Sequence, residues 1–328
     1  MEPIPAAHYL GEPMSEDITN EQLEDHTPPS MHSAIVARTP SGATIEVAAS
    51  AGYCWGVERA IDLAVAAAAN PARPTYTLGE LIHNKLTVER LENDHSIRVV
   101  NSAEEAPAGS ALVVRAHGVP PAVRQIAKDR NLDLVDGTCP LVDIIHRRAR
   151  ELKAEGWTVI IIGQRTHPEI IGVLGSIGGD GYVVETPEDV EKLPPLKRVG
   201  IVLQSTLIAE KAAKILAELT PRCRQLKFFN TICHVTTERQ AEAKELSQRS
   251  DVMLIVGSPH SSNTLKLEQV CRMEGCESHR IDTEEDIDLG WFASKQHIGI
   301  HGGASTPRET LEKIVAFLVE NLTAPSAG

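Results

Sequence analysis

Residues 135–152 read VDGTCPLVDIIHRRAREL: an apolar, strand-like run stops at Cys139, and a helical pattern sets out from it. The arrangement recurs in AASAGYCWGVERAIDLAVAA, residues 48–67, around Cys54, and in FFNTICHVTTERQAEAKEL, residues 228–246, around Cys233. Aligned on these cysteines, the chain repeats with a period of roughly ninety residues. After each cysteine an amphipathic helical stretch leads to a strand, PTYTLG, WTVIIIG or DVMLIVG. A polar loop follows each strand and carries His83, His167 or His260, which lie 29, 28 and 27 residues beyond their cysteines.

The register continues through a second strand (IRVVNS, GYVVET, SHRIDT), an acidic turn and a third strand (ALVVRAHGVPP, VGIVLQSTL, IGIHGGASTP) that ends in small and polar residues. A last strand, LDLVDGTCP or QLKFFNTICH, leads to the next cysteine. The third copy lacks this strand at its end, and ATIEVAASAGYC from the other terminus supplies it, closing the ring. Strands alternating with helices predict an α/β protein with largely parallel sheets and ligand groups at the carboxyl ends of strands. The reading is three α/β domains related by a pseudo-threefold axis, with the polar loops converging near that axis. The expected boundaries are 43–138, with its first strand completing the third domain, then 139–230 and 231–322, followed by a tail, 323–328. Residues 1–42 are expected to be a disordered acidic extension, since residues 1–33 carry seven acidic residues and no Lys or Arg.

A net charge of −13 argues against general binding to nucleic acid or to an anionic membrane surface. No apolar run reaches membrane-spanning length and no signal-peptide pattern opens the chain, so a cytoplasmic protein is expected. The six cysteines then do not suggest disulfides, and no C-x-x-C pair suggests a zinc ribbon or a redox dithiol. Cys223, Cys271 and Cys276 read as small core residues. Cys54, Cys139 and Cys233 differ, because a helix N-terminus favours a thiolate. Three converging thiolates suit a zinc ion with an open fourth position or three irons of a four-iron cluster, and spacing favours neither. His83, His117 and His167, with the donors of SSNT and GAST, suit a polyanion such as a diphosphate. Glu169, in HPEI, is a carboxylate among donors; it reads either as a helix N-terminal partner or as a proton donor.

The ordered set AGYCWGVERAI, GELIHNKLTVERL, RAHGVPP, DGTCPLV, HPEIIGVLG, QSTL, TICHVTTERQ, HSSNTLKL and GASTP resembles the motifs of the 4-hydroxy-3-methylbut-2-enyl diphosphate reductase family over about residues 44–320. The resemblance implies a trefoil of three α/β domains around a [4Fe-4S] cluster held by Cys54, Cys139 and Cys233, with one open iron. It implies that His83, His117, Ser261, Ser262, Asn263 and Ser305 hold the substrate diphosphate, with His167 beside them and Ser205 and Thr206 lining the site. Glu169 is the implied proton donor, helped by Thr206 through a water. The implied reaction removes the allylic hydroxyl with two electrons and two protons to give isopentenyl and dimethylallyl diphosphate. The resemblance implies that the electrons come from a small ferredoxin or flavodoxin with its reductase. Departures from the usual pattern are Ser205 for a threonine, Trp55 beside the first cysteine, Gly137, His260 and His301. They motivate one alternative, a paralogue acting on another allylic or phosphorylated alcohol; a second, from another class, is a non-catalytic cluster-bearing sensor, against which Glu169 and Thr206 speak.

Overall fold

The computed structural model describes residues 34–323. They gather into two compact units, one made of residues 55–82 and 88–233, the other of residues 34–54, 83–87 and 234–323.

The first unit holds two four-stranded sheets. Strands β3 (Thr75–Leu78), β4 (Arg98–Val100), β5 (Ala111–Val114) and β6 (Asp133–Asp136) lie in the order β6-β5-β3-β4. Strands β7 (Thr158–Ile162), β8 (Tyr182–Val184), β9 (Arg198–Leu203) and β10 (Gln225–Phe228) lie in the order β10-β9-β7-β8. Every pairing in both sheets is parallel. The second unit holds β1 (Ile35–Arg38), β2 (Thr44–Val47), β11 (Val252–Val256), β12 (Ser278–Ile281) and β13 (His297–Gly302), ordered β1-β2-β13-β11-β12. Here β2 stands beside β13, in parallel, where β6 stands beside β5 and β10 beside β9. One permutation of strands is thus used three times, the third time with a strand from early in the chain.

The sequence reason is the apolar run. TVIII in β7 and VMLIV in β11 are nearly or fully buried along their length, as parallel strands covered on both faces must be. Helices Trp55–Ala68, Pro140–Ala154 and His234–Arg249 each begin at the residue after a cysteine. With few aromatic side chains, close packing depends on small residues. Ala60, Ala64 and Ala67 lie against Ala111 and Val113, and Leu152 sits over Gly200 in β9. Leu246 sits in the same way over Gly299 in β13.

One boundary needs correction. The acidic extension expected over residues 1–42 ends sooner, because Ile35–Arg38 is a strand paired antiparallel with β2. Four residues, Thr39 to Gly42, Thr-Pro-Ser-Gly, join the two strands as a hairpin loop. The pull of an open sheet edge on IVAR outweighs the polar flanks that suggested disorder. The rest of the expected extension, residues 1–33, lies outside the described residues. Among the described helices none is long and apolar enough to cross a membrane.

The approach of Leu152 to Gly200 sets a test. A Cβ at position 200 would stand 2.5 Å from Leu152 Cδ2, far inside van der Waals contact. Gly200→Ala should cost about 1–3 kcal/mol by overpacking, read as a lower urea midpoint at unchanged slope. An unshifted midpoint would show that the helix stands off the sheet.

Candidate active site

Each of the three repeated cysteines is tied to the end of a strand by its backbone amide. Cys139 N donates to the Ala116 carbonyl at 3.0 Å, Cys233 N to Ser205 at 2.9 Å and Cys54 N to Ala304 at 3.1 Å. Each acceptor lies two residues past β5, β9 or β13. Each is followed at once by a candidate ligand residue: His117, Thr206 or Ser305. Cys139 is the N-cap of its helix, with φ −62° and ψ 131°. All three cysteines are half-buried, and no disulfide engages them. By contrast Cys271 is fully buried, and that burial pushes its thiol up to about 12.

In the first unit Ser205 joins a cysteine to a carboxylate. Its carbonyl receives the Cys233 amide, its own amide donates to Glu169 Oε1 at 2.7 Å, and its hydroxyl donates to Glu169 Oε2 at 2.5 Å. Glu169 is only 1% exposed. It occupies the first turn of helix Pro168–Ser176, whose N-cap is His167. The Glu169 amide donates to His167 Nδ1 at 3.2 Å, so in the neutral ring the proton sits on Nε2. His117 meets His167 edge to face, with ring centroids 5.0 Å apart. Thr206 Oγ1 accepts from Gln204 Nε2 at 3.2 Å. Below His117, the buried ring of His146 fills the space left by Gly118 and Gly172; a Cβ on either would come within 3.0 Å of it. Burial pushes His146 down to about 4, against the pull of Asp143.

The second unit presents a helix N-terminus. Ser261 caps helix Ser262–Met273, its hydroxyl accepting from the Thr264 amide at 3.3 Å. Ser262 and Asn263 are buried, and Lys266 Nζ donates to Ser262 Oγ at 2.9 Å. Asn263 Nδ2 and Thr264 Oγ1 are buried with no hydrogen-bond partner among the described residues. Unspent donors at a helix N-terminus are the chemistry of an anion site. The hydroxyl of Ser305 donates to the His83 carbonyl at 3.3 Å. Asn84 Oδ1 accepts from the Thr87 amide and hydroxyl, and Tyr53, next to Cys54, meets that hydroxyl at 2.6 Å.

Charged side chains hold the loop that ends at Cys54. Glu242 Oε1 accepts from Ala49 N at 2.6 Å, and Oε2 accepts from the amide of Ser50 at 3.0 Å and from its hydroxyl. Arg239 donates to the Gly52 carbonyl at 2.9 Å and to the Gly302 carbonyl at 3.3 Å; Arg308 donates to Ala51. His301 completes this cluster: it is 0% exposed, with Nε2 3.8 Å from Glu242 Oε2 and Nδ1 3.1 Å from the Gly302 carbonyl. This corrects the reading of His301 as a mark of altered substrate, because its ring is spent on loop support. Gly137 has a steric reason too, since a Cβ there would run into the Val114 carbonyl.

Residues 45–319 match the family described as LytB protein. The chain belongs to the LytB family. Its relatives include a 4-hydroxy-3-methylbut-2-enyl diphosphate reductase from Citrifermentans bemidjiense, 36% identical over 269 residues that make up 82% of this chain and 94% of that one. Another, from Burkholderia mallei, is 38% identical over 283 residues, covering 85% of this chain and 86% of that one. Among solved structures, the E-1-hydroxy-2-methyl-but-2-enyl-4-diphosphate reductase of Plasmodium falciparum matches with a TM-score of 0.81 at 28% identity, covering 87% of this chain and 92% of that one. A second, described as the terminal enzyme of the non-mevalonate pathway, matches with a TM-score of 0.63 at 35% identity, over 84% of this chain and 99% of that one. This LytB chain therefore shares the α/β fold of those reductases.

Sequence reasoning missed the supporting residues of this LytB site, Arg239, Glu242, Arg308, Gln204 and His146. Arg239 and Glu242 leave one signal: charges three residues apart on the helix face that also carries the buried Ala243 and Leu246. Two tests follow from their contacts. Glu242→Gln keeps one acceptor and turns the other into a donor facing a donor. It should cost about 1.5–3 kcal/mol in urea unfolding and speed alkylation of Cys54, relative to Cys139 and Cys233, in metal-free protein. Unchanged alkylation would mean that the loop is held by other means. The second test concerns acid. His146 has a folded value near 4 against an ordinary 6.5, so the unfolded chain binds the extra proton between those values. Stability should be level above about pH 6.5 and fall from there towards pH 4, by roughly 3 kcal/mol at most from this group. His301, pushed down to about 4 by burial and Arg239, adds with the same sign. Equal urea midpoints at pH 7 and pH 5 would contradict this.

Proposed function

We propose that this chain reduces (E)-4-hydroxy-3-methylbut-2-enyl diphosphate to isopentenyl and dimethylallyl diphosphate, the reaction implied by the names of its relatives. The observation that carries the reading is the Ser205 link, which fastens a buried carboxylate to the backbone of a helix-initiating cysteine. A sensor needs the cysteines, but it has no use for that carboxylate.

Cys54, Cys139 and Cys233 fit an iron–sulfur cluster. They are three half-buried thiols at helix starts, each with its backbone fixed by a strand-end carbonyl, in a chain where no zinc-type cysteine pair occurs. When bound, such a cluster, [4Fe-4S] with one iron open, supplies electrons singly and Lewis acidity at the hydroxyl oxygen of the substrate.

The side chains of the protein do the rest. Asn263, Ser261, Ser262 and Ser305, with His83 and His117, grip the diphosphate. The unspent Asn263 Nδ2 supports this role, because a buried donor is costly until an anion accepts from it. His167 offers an Nε2 proton as a further donor, its tautomer fixed by the Glu169 amide. Hydroxide is a poor leaving group, so the allylic oxygen must receive a proton as its bond to carbon breaks. Glu169 supplies it. The Ser205 hydroxyl, which both donates and accepts, holds the acid in place, and Thr206 relays through a water. Atoms balance as substrate plus two electrons and two protons giving product plus water.

Anaerobic protein should carry about four irons and four sulfides per chain. Glu169→Gln should keep that content and keep affinity for inorganic diphosphate. Its turnover with a chemical one-electron reductant should drop about 10²–10⁴-fold. Near-normal turnover in this variant would return Glu169 to the role of helix N-terminal partner. Stoichiometric zinc without labile sulfide would defeat the cluster.

A further inference from the structure

The β10 edge of the β7–β10 sheet lies in a basic stretch of the chain. The chain as a whole has 45 acidic against 32 basic residues, yet residues 192–229 carry eight Lys and Arg against two Glu. The matching stretch of the first repeat, residues 98–135, carries five against four, so the excess is not a property of the repeat. The strand at that edge is β10, last in its sheet. Its Leu226 and Phe228 are 38% and 40% exposed and, two residues apart, share one face. Arg224 continues that face, and its amide bonds to the Lys197 carbonyl at 3.1 Å, so two exposed cations stand together at the start of the strand, next to the apolar pair. On the opposite face Lys227 is spent on Glu155 at 2.7 Å, and Arg198 is stacked 4.3 Å over Trp157.

Cations alone on an edge strand serve to stop strand pairing. Exposed leucine and phenylalanine on the same edge work against that purpose, and an apolar centre with a charged surround is the make-up of a docking patch. A second copy of this chain docking here would bring one basic patch up against another, which disfavours it. The chain also leads from the patch straight to chemistry. Phe228 is five residues before Cys233, a span of at most about 17 Å.

Resting on the proposed reductase activity, we infer that this basic, apolar edge is where a small acidic one-electron carrier protein docks to deliver electrons beside Cys233. Two reduced carriers are oxidised per turnover, matching the two electrons that, with two protons, convert the allylic alcohol to product and water. Steering by opposite charge speeds such short-lived encounters and weakens with salt.

The test compares two donors on anaerobic holoprotein: an acidic [2Fe-2S] ferredoxin and reduced methyl viologen. In wild type, added salt should raise KM for the ferredoxin. The double variant Lys197→Glu/Arg224→Glu should raise it at least tenfold at low salt, with viologen-driven kcat within twofold of wild type. Phe228→Ser should raise it while leaving the salt dependence in place. Unchanged ferredoxin KM in all variants would overturn the assignment. So would equal losses with both donors, or a wild-type dimer that the double variant dissolves. Should viologen drive no turnover of the allylic diphosphate, the proposed activity fails. Docking is then judged by direct titration of the same ferredoxin, where a tenfold weaker Kd in the double variant upholds it and an equal Kd rejects it.

Discussion

A single hydrogen bond, used three times, organises this protein: the amide of a helix-initiating cysteine given to the carbonyl two residues beyond a strand. At 2.9 to 3.1 Å the bonds are ordinary, but each lies where two elements must meet in one geometry. In a parallel sheet the chain leaves every strand at the same end, so strand-end carbonyls and helix-start amides gather there without partners from the regular ladders. Pairing one with the other satisfies both, and it ties each cysteine to the residue just before His117, Thr206 or Ser305. Had the cysteines stood one residue later, they would lie inside the first turn and that link would be lost.

Support for this bond comes from two directions. From below, the helices approach their strands closely because Gly200 and Gly299 leave room for Leu152 and Leu246, and Ala111 does the same for the helix after Cys54. From the side, polar groups hold the loops. Ser205 serves Cys233 and Glu169 together, while Arg239, Glu242 and Arg308 hold the backbone before Cys54 at Ala49, Ser50, Ala51 and Gly52. Burial keeps His301, in this cluster, and His146, in the other unit, neutral in the folded chain, so each is expected to cost stability as the pH falls from about 6.5 towards 4.

The departures from the usual family pattern take on different weights in this light. His301 and Gly137 answer to packing and to loop support, so neither speaks for a different substrate. Ser205 keeps the hydroxyl that Glu169 requires. The basic edge at Arg224 and Lys197 includes none of the proposed ligand residues, and it lies upstream of Cys233 in the chain, which suits the inferred part in delivering electrons rather than in binding substrate.

The sequence by itself determined the elements and their repeat. Period-two and period-3.6 patterns, short apolar runs and the recurring cysteine are local, and they were legible wherever a strand or a helix start was involved. It offered candidates for binding an anion or a metal, because the chemistry of a thiol, an imidazole or a hydroxyl can be read residue by residue. What only the tertiary structure decided was partnership. That Ser205 would bond Glu169 across 36 residues, or Glu242 the Ser50 amide across 192, is a matter of which strand ends adjoin, and no periodicity records it. The strand Ile35–Arg38 was missed for a local reason: Ile-Val-Ala-Arg is too short a run to stand out beside the acidic stretch, and it is the hairpin with β2 that makes it a strand.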